Sequence, residues 1–200
     1  LVRSRGLGDV YKRQVVDTAI DAGGTVIFSE TAEVIGAEHL LARRAANEQV
    51  KQDLLDTVNR FEQMIIDYGV DIRGAQPMPG NILNGLTTIE EKSLGALVKT
   101  GTRPLNGVLD YAERPAGPGL YFMDSPAWPV HMFLAMAAAG NQVFIFSLGG
   151  GVCGMFPSQP GALRPPIVPT VKITGDPHLK HEMGFFDFYA GQVIEVPVGS

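Results

Sequence analysis

The sequence predicts an α/β domain, an open and mostly parallel sheet with helices on both faces. Short β-branched or aromatic apolar runs alternate with longer segments whose apolar residues recur every three or four positions. The short runs are continuously apolar, as expected of strands covered on both faces. Strands separated by helices in this way are joined by crossovers, which parallel pairing requires.

Taken in order, Val16–Asp21 reads as the end of a helix closed by Gly23 and Gly24, and Thr25–Ser29 as a buried strand ended by Glu30. Residues from about 37 to 67 read as helix, broken near Asn47. Its inner face is Val50, Leu54, Val58, Phe61 and Ile65, and Gly69 supplies a left-handed stop. The stretch 73–85, with two prolines and three glycines, reads as a loop. Thr87 or Thr88 then caps a helix that runs to about Lys99, with a Glu three residues on completing a capping box. Leu120–Met123 is a strand, Val130–Ala139 a buried helix, and Val143–Ser147 and Val171–Thr174 are strands. Asp176-Pro177 opens a short helix, with Asp as cap and Pro in the first turn.

Residues 1–14, "LVRSRGLGDVYKRQ", are basic, lack clear periodicity and differ in character from the rest of the chain. They have no apolar core of the kind a signal peptide carries. They are expected to be a non-native leader, with 15–200 forming the C-terminal α/β part of a longer protein.

One motif asks for a decision. Gly149, Gly151 and Gly154 fit the G-x-G-x-x-G spacing of dinucleotide-binding loops. That fingerprint needs a helix to come next, so that its N-terminus can hold the pyrophosphate. Here the next residues are Met-Phe-Pro-Ser-Gln-Pro-Gly, and each proline in a helix interior costs ~3 kcal/mol. The layout is therefore Rossmann-like without a dinucleotide site, and no NAD is expected. The glycines are read as a turn that lets backbone approach a ligand.

Composition narrows the function classes. With 45% apolar and 18% charged residues the chain can bury a core and is not a disordered tail. A net charge of -5 argues against a nucleic-acid partner. No apolar run approaches the ~20 residues of a membrane span. The single Cys153 excludes an internal disulfide and points to a soluble, reducing compartment. His178 and His181 lie one turn apart, but no third ligand is fixed by spacing, and they read as surface histidines.

Ligands of open parallel sheets bind beyond the carboxyl ends of the strands. Those positions here are Glu30, Asp124 with Ser125, the Gly149–Gly151 turn and Thr174 to Asp176. Glu30 and Asp124 could equally cap the segments next to them, and Glu33 and Glu38 could be solvated. On the helix from Thr88, helical spacing aligns Thr88, Lys92, Gly95 and Lys99, with Glu91 beside them. Two ammonium groups flanking a glycine leave room for an anion; the plainer reading is a solvated face.

"GGTVIFSET-E-GAE" (23–38), "PGN…GLTTIEEKSLG" (79–95), "K-GT-P" (99–104) and "PTVKITGDP…DFYAG" (169–191) occur in the order found in the altronate/galactarate dehydratase family, which the chain resembles from about Val16 to Ile194. The resemblance implies a cytoplasmic hydro-lyase, active in carbohydrate catabolism, that removes water from a sugar acid with a divalent metal, Fe(II). It also implies that this is a carboxyl-terminal part. An upstream core portion and a small β-rich domain, in cis or in a partner subunit, would then supply most metal ligands, and none is assigned here. Sulfolactate sulfo-lyase subunits look similar, so expulsion of sulfite is an alternative; a noncatalytic binding or assembly role is another. The residues expected to serve catalysis are Glu30, Lys92 and Glu91. Those expected to hold substrate are Asn81, Thr88, Lys99, Thr102, Gly149 and Gly151. The chain departs from the family pattern at Gly150 and Val152, where relatives carry Arg and Thr, at Gly175-Asp176 and at Tyr189.

Overall fold

A computed structural model describes residues 5–77, 79–83, 85–126, 129–147, 168–174 and 186–190. The first helix, α1 (Arg5–Asp21), starts further back than the periodicity places it and includes most of the expected leader. Gly23, at φ 82°, takes the left-handed stop. Gly24 passes so close to α1 that a Cβ there would stand 2.7 Å from the Ala19 carbonyl oxygen. The chain thus reverses directly into β1 (Thr25–Phe28).

A 3₁₀ turn (Thr31–Glu33) and α2 (Glu38–Ala42) come next, then the long α3 (Glu48–Asp67). Asn47 divides α2 from α3 as the sequence predicts, because its side chain accepts the Val50 N–H at 3.0 Å. Replacing Asn47 with Ala is expected to cost about 1 kcal/mol, measurable by chemical denaturation. Val50, Leu54 and Val58 on α3 are buried against Ile35, Leu41, Ile89, Leu105, Leu120 and Phe122, with Phe61 and Ile65 packed at the margin.

The expected loop at 73–85 is instead partly helical. Two short helices occupy it, α4 (Ile72–Ala75), capped by Asp71, and α5 (Pro79–Leu83). Glycine and proline punctuation marks the ends of such single turns as readily as it marks a loop. After α6 (Ile89–Val98) comes β2 (Leu105–Leu109), which periodicity misses, then β3 (Gly119–Met123), α7 (Pro129–Ala138), β4 (Phe144–Ser147), β5 (Thr170–Thr174) and β6 (Phe188–Tyr189).

Among the described residues the strands form two parallel three-stranded sheets, ordered β1-β3-β2 and β4-β5-β6. This is the open parallel layout with helices that the sequence predicts. In the first sheet β3 is central and buried along its whole length. In the second, α7 covers one face, with Phe133 set edge-on to Phe144 and Phe146 at ring distances of 5.0 and 5.2 Å. The glycine turn, Cys153, the expected helix at Asp176, and His178 and His181 lie outside the described residues.

Candidate functional site

The site begins where β1 ends. Glu30 has φ 79° and ψ 80°, a left-handed conformation that a non-glycine residue adopts at a cost of about 1 kcal/mol or more. Its two neighbours hold it there. Ser29 donates its hydroxyl proton to the Met123 carbonyl at 2.9 Å and also meets the Ser125 hydroxyl. Thr31 donates its hydroxyl to Asp124 at 2.6 Å, accepts the Ser125 N–H at 3.1 Å, and sends its own N–H to the Ser125 carbonyl at 3.2 Å. The ends of β1 and β3 are therefore sewn together on either side of Glu30. Asp124, a candidate in the sequence, is occupied by this stitching and by Arg60, 2.8 Å away.

Glu30 opens into a cleft of about 960 Å³. Helix α6 forms another wall, and its start is fixed by the predicted Thr88 cap, with the Glu91 carboxylate reaching back one residue further, to Thr87. The Thr88 hydroxyl accepts the Glu91 N–H at 3.2 Å, and the Glu91 carboxylate takes the N–H and hydroxyl of Thr87 at 2.9 and 2.8 Å. Ser93, fully buried, donates to the Ile35 carbonyl at 2.7 Å and so sets the helix's rotation. Ile89 and Leu97 turn into the core while Lys92, Gly95 and Lys99 face the cleft, as helical spacing predicts. A Cβ at Gly95 would meet nothing within 4 Å, so the space between the two lysines is open.

The Lys92 ammonium lies 3.1 Å from Glu33 and donates to Gln76 at 2.9 Å, with only 17% of its side chain exposed. Burial, reinforced by the nearby Glu33 charge, pushes the Glu30 carboxyl from its ordinary range up to about 7; Lys99, Lys92 and Lys12 pull the other way. Part of Glu30's surface faces the cleft, yet protein atoms surround the rest closely enough for desolvation to dominate. A carboxylate poised near neutrality across from ammonium groups can accept a proton from a carbon whose carboxylate those groups hold.

The other sequence candidates divide. Asn81 and Glu91 line the same cleft. Thr88 does not, since its hydroxyl works as a helix cap. Thr102 lies elsewhere: its N–H and hydroxyl both go to Asp17, at 2.6 and 2.8 Å. Burial tends to raise the Asp17 pKa, but these bonds and Arg103 outweigh it and hold the carboxyl below its ordinary range. Gly149 and Gly151 lie outside the described residues. Residue types and spacing do not single out Glu33 or Gln76 as site residues. The only sequence signal for Glu33 is its place three residues after Glu30, and nothing local marks Gln76.

Among the described residues no three His, Cys, Asp or Glu side chains gather as a metal site would require, and no helix is long and apolar enough to cross a membrane. Residues 12–198 match the family model described as D-galactarate/Altronate dehydratase, C-terminal. The chain is 38% identical over 172 residues to the (2R)-sulfolactate sulfo-lyase subunit beta of Chromohalobacter salexigens, which covers 85% of this chain and 42% of that protein. It is 35% identical over 181 residues to the altronate dehydratase of Bacillus subtilis, covering 90% and 34%. With the galactarate dehydratase (L-threo-forming) of Escherichia coli it shares 36% over 135 residues, covering 68% and 26%. The chain thus spans less than half the length of these relatives.

Proposed function

The chain belongs to the D-galactarate/altronate dehydratase family, whose C-terminal part it matches, and from that premise we propose that it carries the proton-abstracting half of a sugar-acid dehydratase. The observation that carries this reading is Glu30, held in a left-handed turn at the sheet edge and facing a cleft also lined by Lys92 and Lys99.

The proposed reaction is an elimination from a polyhydroxy carboxylate. Lys92 and Lys99 hold the substrate carboxylate, and their charge stabilises the enolate that forms beside it. Glu30 accepts the proton from the carbon next to that carboxylate. The electron pair of the broken C–H bond forms the C=C bond as the C–O bond at the adjacent carbon breaks, and hydroxide leaves with a proton as water. The resulting enol becomes a keto acid. Asn81 hydrogen-bonds substrate hydroxyls, and Glu91, which also lines the cleft, returns a proton to the leaving oxygen. Thr102, tied to Asp17, and Thr88, used as a cap, would act by shaping the helix that carries the lysines.

A divalent metal, Fe(II), would supply Lewis-acid help to the enolate and the leaving oxygen. Glu30 and Glu33 are two carboxylates at one end of the cleft, short of a complete ligand set. The described residues do not make a metal site on their own, and no step above passes through one.

The 38% identity to a sulfo-lyase subunit favours a second reading. Deprotonation beside the carboxylate is the same, and sulfite leaves from the next carbon in place of hydroxide. The complete protein, assayed with Fe(II) against hexonates, hexarates and sulfolactate, is expected to release keto acid from a sugar acid. Sulfite release would favour the second reading. Turnover of none of them would leave a noncatalytic binding or assembly role.

A further inference from the structure

We propose that the segment preceding α1 in the complete protein is a β-strand that runs parallel to β1 in the gap between β1 and β4, joining the two sheets into one. Among the described residues β1 pairs only with β3, and β4 only with β5, so each is a sheet edge. Proteins blunt exposed edges with charges, prolines or bulges. These two have none: their sequences are Thr-Val-Ile-Phe and Phe-Ile-Phe-Ser.

Both edges face the same cleft. All four residues of β1 and all four of β4 line it. Successive side chains of a strand point to opposite faces, so a cavity that touches every residue is meeting the strand's edge. Above and below, the cleft is walled by helix side chains, Val16 and Ala19 of α1 and Met132, Phe133 and Met136 of α7. A slot between two strand edges that pair with no third strand among the described residues, walled above and below by apolar helix side chains, has the shape of one further strand in an α/β sandwich.

Connectivity says which strand. Helix α1 packs on β1, reaches β4 and β5, and delivers the chain into β1 through Gly23 and Gly24. A helix that feeds a parallel strand is the second half of a β-α-β crossover, whose first strand lies in the same sheet. The β3 side of β1 is taken, which leaves the cleft side. The relatives are long enough to supply the segment, since this chain covers only 26% to 42% of their length. The strand would end beside Glu30, so the loop from it to α1 would join the Glu30–Lys92–Lys99 end of the cleft. That last consequence rests on the catalytic reading; the strand does not.

Residue-resolved amide exchange on the complete protein tests it without any assay of activity. Amides of Val26–Phe28 and Ile145–Ser147 that point away from β3 and β5 are expected to exchange at least about 100-fold more slowly than the outward amides of Gly107–Leu109. Amide–amide Overhauser contacts are expected from both strands to one intervening segment, which holds β1 and β4 about 10 Å apart, two strand spacings. Fast exchange at either edge overturns the proposal, and so do direct contacts between β1 and β4.

Discussion

Replacing Glu30 with Gln in the complete protein is expected to lower kcat by about 10²–10⁴-fold, the usual contribution of a positioned general base, while making the protein more stable above neutral pH. The two effects have one cause. Burial and the Glu33 charge raise the Glu30 carboxyl to about 7 in the folded state, against an ordinary 4.5 when unfolded. Between those values the folded protein keeps a proton that the unfolded chain has released. Stability from this group is therefore complete below about 4.5 and is lost as pH rises through about 7. Above that, the native state carries an ionised carboxylate in a poorly solvated place, at a cost on the order of 1–3 kcal/mol. Gln is neutral at every pH and keeps the length and hydrogen-bonding oxygen. Denaturation curves are thus expected to favour the Gln variant at pH 8 and to converge with the parent near pH 4.5. A variant that loses activity without this stability crossover would have lost a structural contact instead of a tuned base.

Replacing Lys92 with Met is expected to raise KM or reduce kcat by about tenfold or more, a loss of about 1.4 kcal/mol of substrate or transition-state binding. The stem packs much as a lysine's does, so the change removes mainly the charge. It also strips Glu33 of its partner at 3.1 Å and removes one of the cations that favour ionised Glu30. Steady-state kinetics on the complete protein decide it: unchanged KM and kcat would mean that the ammonium serves only its contacts with Glu33 and Gln76.

Much of this site is readable from residue types and spacing. The stripe Lys92–Gly95–Lys99 comes from helical geometry, and its direction from Ile89 and Leu97 being apolar on the other side. The start of α6 is legible because an N-cap such as Thr88 is a local device. Glu30 is found by counting to the end of an apolar run. Its left-handed backbone is not, because the stitching that enforces it joins Ser29 and Thr31 to Met123, Asp124 and Ser125, nearly a hundred residues away. Glu33 is invisible as a Lys92 partner for the same reason.

The fold shows the same division. β1, β3, α3 and β4 carry continuous or periodic apolar patterns that locate them near their true bounds. β2 escapes because Asn106 and Gly107 interrupt it. Asn106 uses its side-chain oxygen to accept the Leu120 N–H at 3.0 Å, and the register shifts between Leu105 and Gly107. At Gly107 a Cβ would come within 3.0 Å of the Tyr121 ring. What looks like a strand breaker is a bulge that makes room for an aromatic side chain on the neighbouring strand. Thr102, singled out through a motif shared with relatives, is instead committed to Asp17 on α1. A shared motif can preserve a packing contact as readily as a ligand contact.

Glu30 is proposed as a base whose proton affinity is raised first by burial, with Glu33 adding to that shift and the lysines opposing it. The apparent pKa on the acid limb of kcat/KM, measured for the complete protein and two variants, tests it most directly. Glu33→Gln removes a negative neighbour and is expected to move that limb to lower pH; Lys99→Met removes a positive one and is expected to move it to higher pH. A limb that stays in place in both variants would contradict the account.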